Sequence, residues 1–300
     1  ATLSYMSTPE IAPIGEELQA KENALRQSLR AMNRVLIAYS GGVDSAFLLQ
    51  VARQELGDDA QAIIGVSPSL MPEEHEDAAR LAQQIGAPLR VVETHEIEDE
   101  NYNSNPVNRC YFCKSHLFEV LTKIARDENF DAVLDGTNLD DLQEWRPGAQ
   151  AGTELGIRSP LREHGFTKAE IRALSKNSGL PTWDKPAMPC LSSRIPYGQP
   201  VTSEALRMIG RGEAFLRSLG LRELRVRHFS ENGKTTARLE IAPDELETFW
   251  PHREAVTSEL RALGYDSVLL DLEGYRRGKM NDKVAPRVEP QPVQLFINGK

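Results

Sequence analysis

Val35-Leu36-Ile37-Ala38-Tyr39-Ser40-Gly41-Gly42-Val43-Asp44-Ser45 is the stretch on which the fold turns. Its first five residues are mostly apolar and read as a strand buried on both faces, the habit of a parallel sheet. From Ala46 to Leu56 the apolar spacing becomes helical. A strand, a glycine turn and a helix start together make an anion site. Glycine lets the backbone approach an oxyanion closely, and the unpaired N–H groups of the first helical turn point at it. The loop has no lysine, so it is not a G-x-x-x-x-G-K-[ST] loop, and it lacks G-x-G-x-x-G spacing as well. Ser40, Asp44 and Ser45, in register at a strand end, mark a turn that binds rather than one that merely connects.

Working outward, residues 1–13 read as a loose leader, and Gly15 to Met32 as an amphipathic helix with Leu18, Leu25 and Leu29 on one face. Downstream come a strand over Gln61–Ser67, a helix over Glu73–Ile85 stopped by Gly86 and Pro88, and a strand over Leu89–Thr94. The polar run Glu96–Asn108 is expected to be an exposed loop. A helix over Lys114–Glu128 leads to a short strand, Asp131–Leu134, ending in Asp135-Gly136-Thr137-Asn138. Such alternation predicts an α/β fold with a doubly wound parallel sheet and ligands at the carboxyl ends of its strands. Trp145 through Pro160 reads as a loop-rich excursion. Thr167 and Glu170 form a capping box for a helix over Lys168–Ser178 closed by Gly179.

Leu180 to Gly198 is proline-rich and aperiodic, which suits a functional loop or hinge. Beyond it the grammar changes to helices over Thr202–Leu219 and Asp244–Leu263 and strands over Glu223–Phe229, Thr235–Ile241 and Ser267–Leu272. That is a smaller α+β unit, expected to pair antiparallel. The organisation predicted is a nucleotide-binding domain over 15–185, a hinge over 186–200, a substrate and oligomerisation domain over 201–283 and a mobile tail over 284–300.

Three hundred residues are ample for such a core, and a net charge of −9 argues against a chain whose main business is gripping nucleic acid. No apolar run is long enough to span a membrane and no signal-peptide core opens the chain, so a cytoplasmic protein is expected. Three cysteines are too few, and odd in number, for a disulfide framework. Cys110-Tyr111-Phe112-Cys113 stands just before the helix expected from Lys114, and Cys190 lies in the proline-rich segment. Four readings are open: a three-cysteine iron–sulfur cluster with one open iron, zinc with His116 as fourth ligand, a dithiol redox pair, or inert thiols. Cys190, between prolines and near Arg194, also suits a sulfur carrier or nucleophile whose thiolate is favoured by positive charge.

Ser40-Gly41-Gly42-Val43-Asp44-Ser45 resembles the PP-loop of the ATP pyrophosphatase superfamily, which splits ATP into AMP and pyrophosphate while adenylating an acceptor. Asp135-Gly136, Trp145-Arg146-Pro147-Gly148, Cys190-Leu191-Ser192-Ser193-Arg194-Ile195-Pro196-Tyr197-Gly198 and Arg225-Val226-Arg227 narrow the likeness. So do Asp271-Leu272 and Gly274 to Asn281. Together they are similar to the LarE-type ATP-dependent sulfurtransferases over roughly residues 20–283.

The resemblance implies that the PP-loop holds ATP with Mg²⁺ and that a carboxylate of pyridinium-3,5-biscarboxylic acid mononucleotide is adenylated. A sulfur nucleophile then forms a thiocarboxylate on the way to the nickel-pincer nucleotide. It places Arg194, Ser193, Glu213, Arg225 and Arg227 around the phosphorylated substrate, where guanidinium forks suit phosphate and carboxylate. Without it, Arg225 and Arg227 read equally well as an exposed strand face. Some family members sacrifice the sulfur of a single hinge cysteine and are left with dehydroalanine. Those with the trio Cys110, Cys113 and Cys190 are expected to hold a [4Fe-4S] cluster carrying an extra sulfur. A sulfur donor and a homo-oligomer complete the expectation. The rivals are a tRNA thiolase, against which the acidic balance counts; an ammonia-using ligase such as an NAD synthetase, which would leave the cysteines idle; and a nucleotide sensor with structural zinc.

Overall fold

The computed structural model describes residues 15–142, 147–186 and 188–276; the leader, Trp145-Arg146, the segment from Arg277 and the tail expected over 284–300 lie outside them. Helix α1 (Glu16–Arg30) precedes strand β1 (Val35–Ala38), and α2 (Val43–Leu56) follows it at once. Then come β2 (Ala60–Val66), α3 (Pro72–Ile85), β3 (Leu89–Glu93), a short α4 (Glu100–Asn103), α5 (Arg109–Asp127) and β4 (Ala132–Leu134). The sheet is parallel throughout, in the order β3-β2-β1-β4.

Strand alternation explains its two covers. Val35 and Ile37 join Ala62 and Ile64 beneath α1, α2 and α3, whereas Leu36, Ala38 and Ile63 meet Phe118, Leu121 and Ala125 of α5 on the other face. Each such Val, Leu, Ile or Phe side chain contributes about 1.5–3 kcal/mol on burial. The doubly wound sheet anticipated from β1 is therefore present. Its order reverses between β1 and β4, and the loops after those two strands meet at the switch point where such sheets bind ligands.

Helices α6 (Pro147–Glu154), α7 (Pro160–Glu163) and α8 (Lys168–Asn177) follow β4. The excursion expected to be loop-rich thus holds α6, which opens on Pro147 because a first-turn N–H needs no partner. The capping box of α8 is as expected. Three further differences come from side chains meeting distant partners. The run 96–108 is not an exposed loop: Glu96, Tyr102 and Asn105 are buried there, and Glu96 Oε1, Tyr102 Oη and the Asn105 amide bond internally. Helix α5 begins at Arg109, so Cys110 and Cys113 lie inside its first two turns rather than before it. The hinge also contains a helical turn, Leu191–Arg194.

The second, smaller sheet follows α9 (Ser203–Ser218) and runs in the order β5-β6-β7, with β5 (Leu224–Glu231), β6 (Lys234–Ile241) and β7 (Ser267–Leu270). Asn232-Gly233, both at positive φ, closes the antiparallel β5–β6 hairpin in two residues. Pairing is not antiparallel throughout, because β7 returns parallel to β6 through a helical crossover. That crossover is not one helix. Pro251, which lacks an N–H, splits it into α10 (Leu246–Phe249) and α11 (Arg253–Ala262). An apolar cluster of Met71, Tyr102, Leu191, Ile195, Leu206 and Ile209 joins the hinge to α3, α4 and α9, with Cys113 at its margin.

Candidate active site

The phosphate side is built by the backbone. Gly41 has φ +69°, and a Cβ on it would stand 2.6 Å from the Cβ of Ala78 in α3, so glycine is required on both counts. Gly42 caps α2 and Val43 is buried in the core. The serines hold the curve: Ser45 Oγ donates to Gly42 O at 3.2 Å, accepts from Ser40 N at 3.2 Å and lies 3.1 Å from Ser40 Oγ. From the β4 side Gly136 closes on the same turn, where a Cβ would fall 2.9 Å from the amide N of Ser45. Asp135 is held by the N–H and hydroxyl of Thr137, at 3.1 and 2.7 Å.

Asp44 carries the acid of the loop. Its Oδ2 accepts from Lys168 Nζ, whereas its Oδ1 is buried without a hydrogen-bond partner. Lys168, which reaches the loop from α8, is a residue that the sequence pattern did not single out. Its only signal was its position directly after the capping Thr167.

The sulfur side is built by side chains. Cys110 and Cys190 are exposed, Cys113 is half-buried, and none forms a disulfide. Burial, then the nearby Cys190, pushes the Cys110 thiol up; burial, then Glu96 and Cys190, pushes the Cys113 thiol up. Negative charge on Cys190 therefore adds to the rise at both Cys110 and Cys113. Glu96 accepts from Ser67 Oγ at 2.6 Å through Oε1, and its Oε2 has no partner.

The hinge is fastened to α4 and α5 by residues expected to be solvated. Asn105, fully buried at φ +58°, donates to Pro196 O at 2.8 Å and Gln199 O at 2.9 Å, and accepts from Arg109. Arg109, also buried, donates to Ser192 O at 3.1 Å, and Tyr102 Oη lies 2.7 Å from Ser192 Oγ. A turn-forming Asn four residues before an arginine was a signal in 96–108, but it is weak without knowing the partner. Among the described residues no group of three or more His, Cys, Asp or Glu side chains could grip a single metal ion. His116, the zinc candidate, instead places Nε2 3.0 Å from Asp99 Oδ2.

Behind Cys190 lies a buried charge network. Arg194, fully enclosed, forks onto both oxygens of Glu213 at 2.8 Å and donates to Pro189 O and Cys190 O at 2.6 and 3.1 Å. Burial opposes ionisation of Glu213, but the Arg194 guanidinium outweighs it and holds the carboxyl below its usual range. Arg227 pairs with Glu240 at 2.8 Å and donates to Ser193 O at 2.8 Å; Ser193 Oγ accepts from Arg194 at 3.0 Å.

The arginines of β5 are therefore not an exposed strand face. Arg225 is buried too, yet meets only Leu224 O and the Tyr275 hydroxyl and ring among the described residues. Burial, then the like charge of Arg194, pushes its pKa down. A guanidinium so placed wants an anion.

Residues 17–110, which include β1 and its loop, match the NAD synthase family. Over 268 residues the chain is 47% identical to an uncharacterized protein of Synechocystis, covering 88% of this chain and 98% of that one. It is 35% identical over 266 residues to the pyridinium-3,5-bisthiocarboxylic acid mononucleotide synthase of Lactiplantibacillus plantarum, covering 88% of this chain and 95% of the synthase. The chain belongs to the LarE-type ATP-dependent sulfurtransferases. A tRNA-specific 2-thiouridylase of Desulforamulus reducens is 27% identical but matches only about half of each chain, 51% and 53%. In this LarE-type chain the Ser40–Ser45 loop sits at the carboxyl edge of the parallel sheet. The hinge reaches that same edge where Leu191 N donates to Ser69 O at 2.9 Å, just past β2. No described helix is long and apolar enough to cross a membrane.

Proposed function

We propose that the chain adenylates a carboxylate of pyridinium-3,5-biscarboxylic acid mononucleotide and converts it to a thiocarboxylate. The observation that carries this reading is Arg225, buried beside the Cys190 hinge with no carboxylate in hydrogen-bond or salt-bridge contact among the described residues, the charge of Glu213 acting on it only through space. Three buried guanidiniums, Arg194, Arg225 and Arg227, face two buried carboxylates, Glu213 and Glu240, which leaves positive charge for a phosphorylated, acidic substrate. Arg194 and Glu213 shape the site from behind, and Arg225, Arg227 and Ser193 form the surface offered to the nucleotide. Ser40 to Ser45 hold the ATP phosphates, and the orphaned Asp44 Oδ1 suits Mg²⁺.

In the first step a substrate carboxylate oxygen attacks the α-phosphorus, the Pα–O bond to the β-phosphate breaks, and pyrophosphate leaves with the electron pair. In the second a sulfur nucleophile adds to the acyl carbon and AMP departs. Cys110, Cys113 and Cys190 are free thiols within one another's electrostatic influence, the donor chemistry of an iron–sulfur cluster, and are the residues that would hold a [4Fe-4S] group. When bound, the cluster supplies an iron free to carry an extra sulfur from a donor. Arg109 and Asn105 keep the Cys190 loop against α5 for that purpose.

Cys190→Ala decides the assignment. It should release pyrophosphate in the presence of substrate yet form no thiocarboxylate, and normal product formation would overturn the role of Cys190. Protein made without oxygen should carry about four irons per chain. Dehydroalanine at Cys190 after one turnover would replace the cluster by sacrifice of that residue.

A further inference from the structure

One face of the second sheet is covered by α9 and α11, whose Met208, Leu216, Val256 and Leu260 pack on Leu224, Val226, Ala237 and Leu239. The alternate residues of β5 and β6 point the other way, and they set Arg225, Arg227 and Phe229 beside Glu240 and Arg238. The hinge lies along β5, held by the Arg227 bond to Ser193 O and by Ser230 N donating to Gln199 Oε1 at 2.9 Å. The β6 side stays open: the Arg238 side chain is 33% exposed, and Leu269, its ladder partner on β7, is exposed too.

The ladder puts Arg238 directly opposite Arg227, and like charges in that relation oppose pairing. Glu240 relieves only part of this. Its Oε2 meets Arg227 at 2.8 Å, whereas its Oε1 accepts from Arg238 Nη2 at 3.4 Å. Arg238 Nε stands 3.4 Å from Asp271 Oδ2 yet is buried without a hydrogen bond. Of the five N–H donors of a guanidinium, Arg238 places one among the described residues, and that bond is long. The Phe229 ring, its centre 4.8 Å away, gives the cation a flat support. A fork so held, under-bonded and partly open to water, is suited to a planar anion.

We propose, resting on the substrate named above, that Arg238 takes the ring carboxylate that is not being adenylated. A pyridinium-3,5-biscarboxylic acid mononucleotide carries three anionic groups. Its phosphate, the most highly charged, suits the two buried guanidiniums Arg225 and Arg227. The reacting carboxylate has to reach the Ser40–Ser45 loop. The other carboxylate keeps one charge and two coplanar oxygens, which match one guanidinium fork. Asp271 and Phe229 are then positioning residues for Arg238. Arg238 touches the substrate but no reacting atom, so it decides which mononucleotide is accepted rather than how fast the bond breaks.

Calorimetric titration of the full chain with two probes tests this. One is the 3,5-biscarboxylate mononucleotide; the other is the pyridinium mononucleotide without ring carboxylates, which keeps the phosphate, ribose and ring. Arg238→Ala should weaken binding of the first about tenfold to a hundredfold and leave the second within about twofold. Arg238→Lys should recover only part of the loss, because an ammonium keeps the charge but not the fork. With ATP present, KM for the biscarboxylate should rise while kcat for pyrophosphate release stays within about threefold. Unchanged affinity in Arg238→Ala overturns the proposal. Equal loss for both probes also overturns it, since Arg238 would then serve the phosphate or the fold. So does a fall in kcat at unchanged KM, the sign of a group on the reacting carboxylate. Should the alanine variant lose its fold, Arg238→Gln is read by the same difference between probes. A parental chain that binds both probes equally sinks the substrate reading itself, whereas a parental preference that survives Arg238→Ala sinks only the role of Arg238.

Discussion

The two halves of the site are made in opposite ways. The proposed phosphate half is six consecutive residues, Ser40 to Ser45, which offer backbone N–H vectors aimed by a strand, two glycines and a helix start. The sulfur half draws Asn105, Arg109, Cys110 and Cys113 from one stretch, Cys190 and Arg194 from another, and Glu213, Arg225 and Arg227 from a third. Its contacts are side-chain contacts between segments far apart in sequence, and most are buried. A local backbone site is robust to changes elsewhere and is lost mainly by changes inside its own loop. A buried polar network is the reverse, because removing one partner leaves another charge enclosed without compensation.

The comparison breaks most decisively at Asp44. Asp44→Ala should reduce pyrophosphate release by more than about a hundredfold, since it removes the loop's acid from both Lys168 and Mg²⁺. The melting temperature should move by only a few degrees, because the pair it loses is half-exposed. Parental pyrophosphate release would end the assignment of this loop, and a collapse of folding would end the claim that it is locally built.

Glu213→Gln attacks the other half. It strips the bidentate partner from fully enclosed Arg194 and the ion-pair partner from Arg217. A loss of about 3–5 kcal/mol in urea unfolding is expected, the cost of one uncompensated buried charge. ATP binding by the folded fraction should persist. A loss under about 1 kcal/mol would mean that the network does not hold the hinge.

This division also explains what could be read from the chain. The strand-loop-helix and the α8 capping box are local patterns of residue type, so strand β1, helix α2, the PP-loop and the parallel sheet followed from them. The polar run 96–108 misled because composition reports what a side chain prefers, not whom it meets. Asn105 is a turn former that looks solvated until Pro196 and Gln199 arrive from the hinge. Arg225 and Arg227 alternate on β5 as exposed charges commonly do, and only their burial beside Glu213 and Glu240 separates the two readings. Lys168 escaped because nothing at position 168 indicates that α8 will pack onto α2.

Asn105→Ala sharpens the comparison with a smaller effect. It deletes the donors to Pro196 O and Gln199 O and the acceptor for Arg109, leaving buried groups unmatched at about 1–3 kcal/mol. That loss should appear locally, as faster proteolysis within 186–200 and a lower iron content after oxygen-free preparation, with ATP affinity unchanged. Unaltered cleavage of the hinge would show that the apolar cluster of Leu191, Ile195 and Leu206 is enough to hold it.

The smallest expected effect is a pH dependence confined to the sulfur half. In metal-free protein, burial raises the pKa of the Cys110 and Cys113 thiols above that of an ordinary cysteine, with neighbouring sulfur charge adding to the effect. The unfolded chain therefore releases these protons first. The stability they contribute is complete below the ordinary thiol pKa of about 8.5 and is lost as pH climbs through the higher folded values. The thiolate is the reactive form, so both residues should alkylate more slowly than a free cysteine at about pH 8 and catch up only in more alkaline solution. Glu213 runs the other way: its folded carboxyl is held down by Arg194, so its contribution is present above the usual carboxylate pKa and fades as pH falls through the lower folded value. Residue-resolved mass spectrometry of alkylation across this range reads the first limb, and acid unfolding of the parental chain against Glu213→Gln reads the second. Alkylation of Cys110 and Cys113 at the free-thiol rate near pH 8 would show that the two thiols are not desolvated in solution.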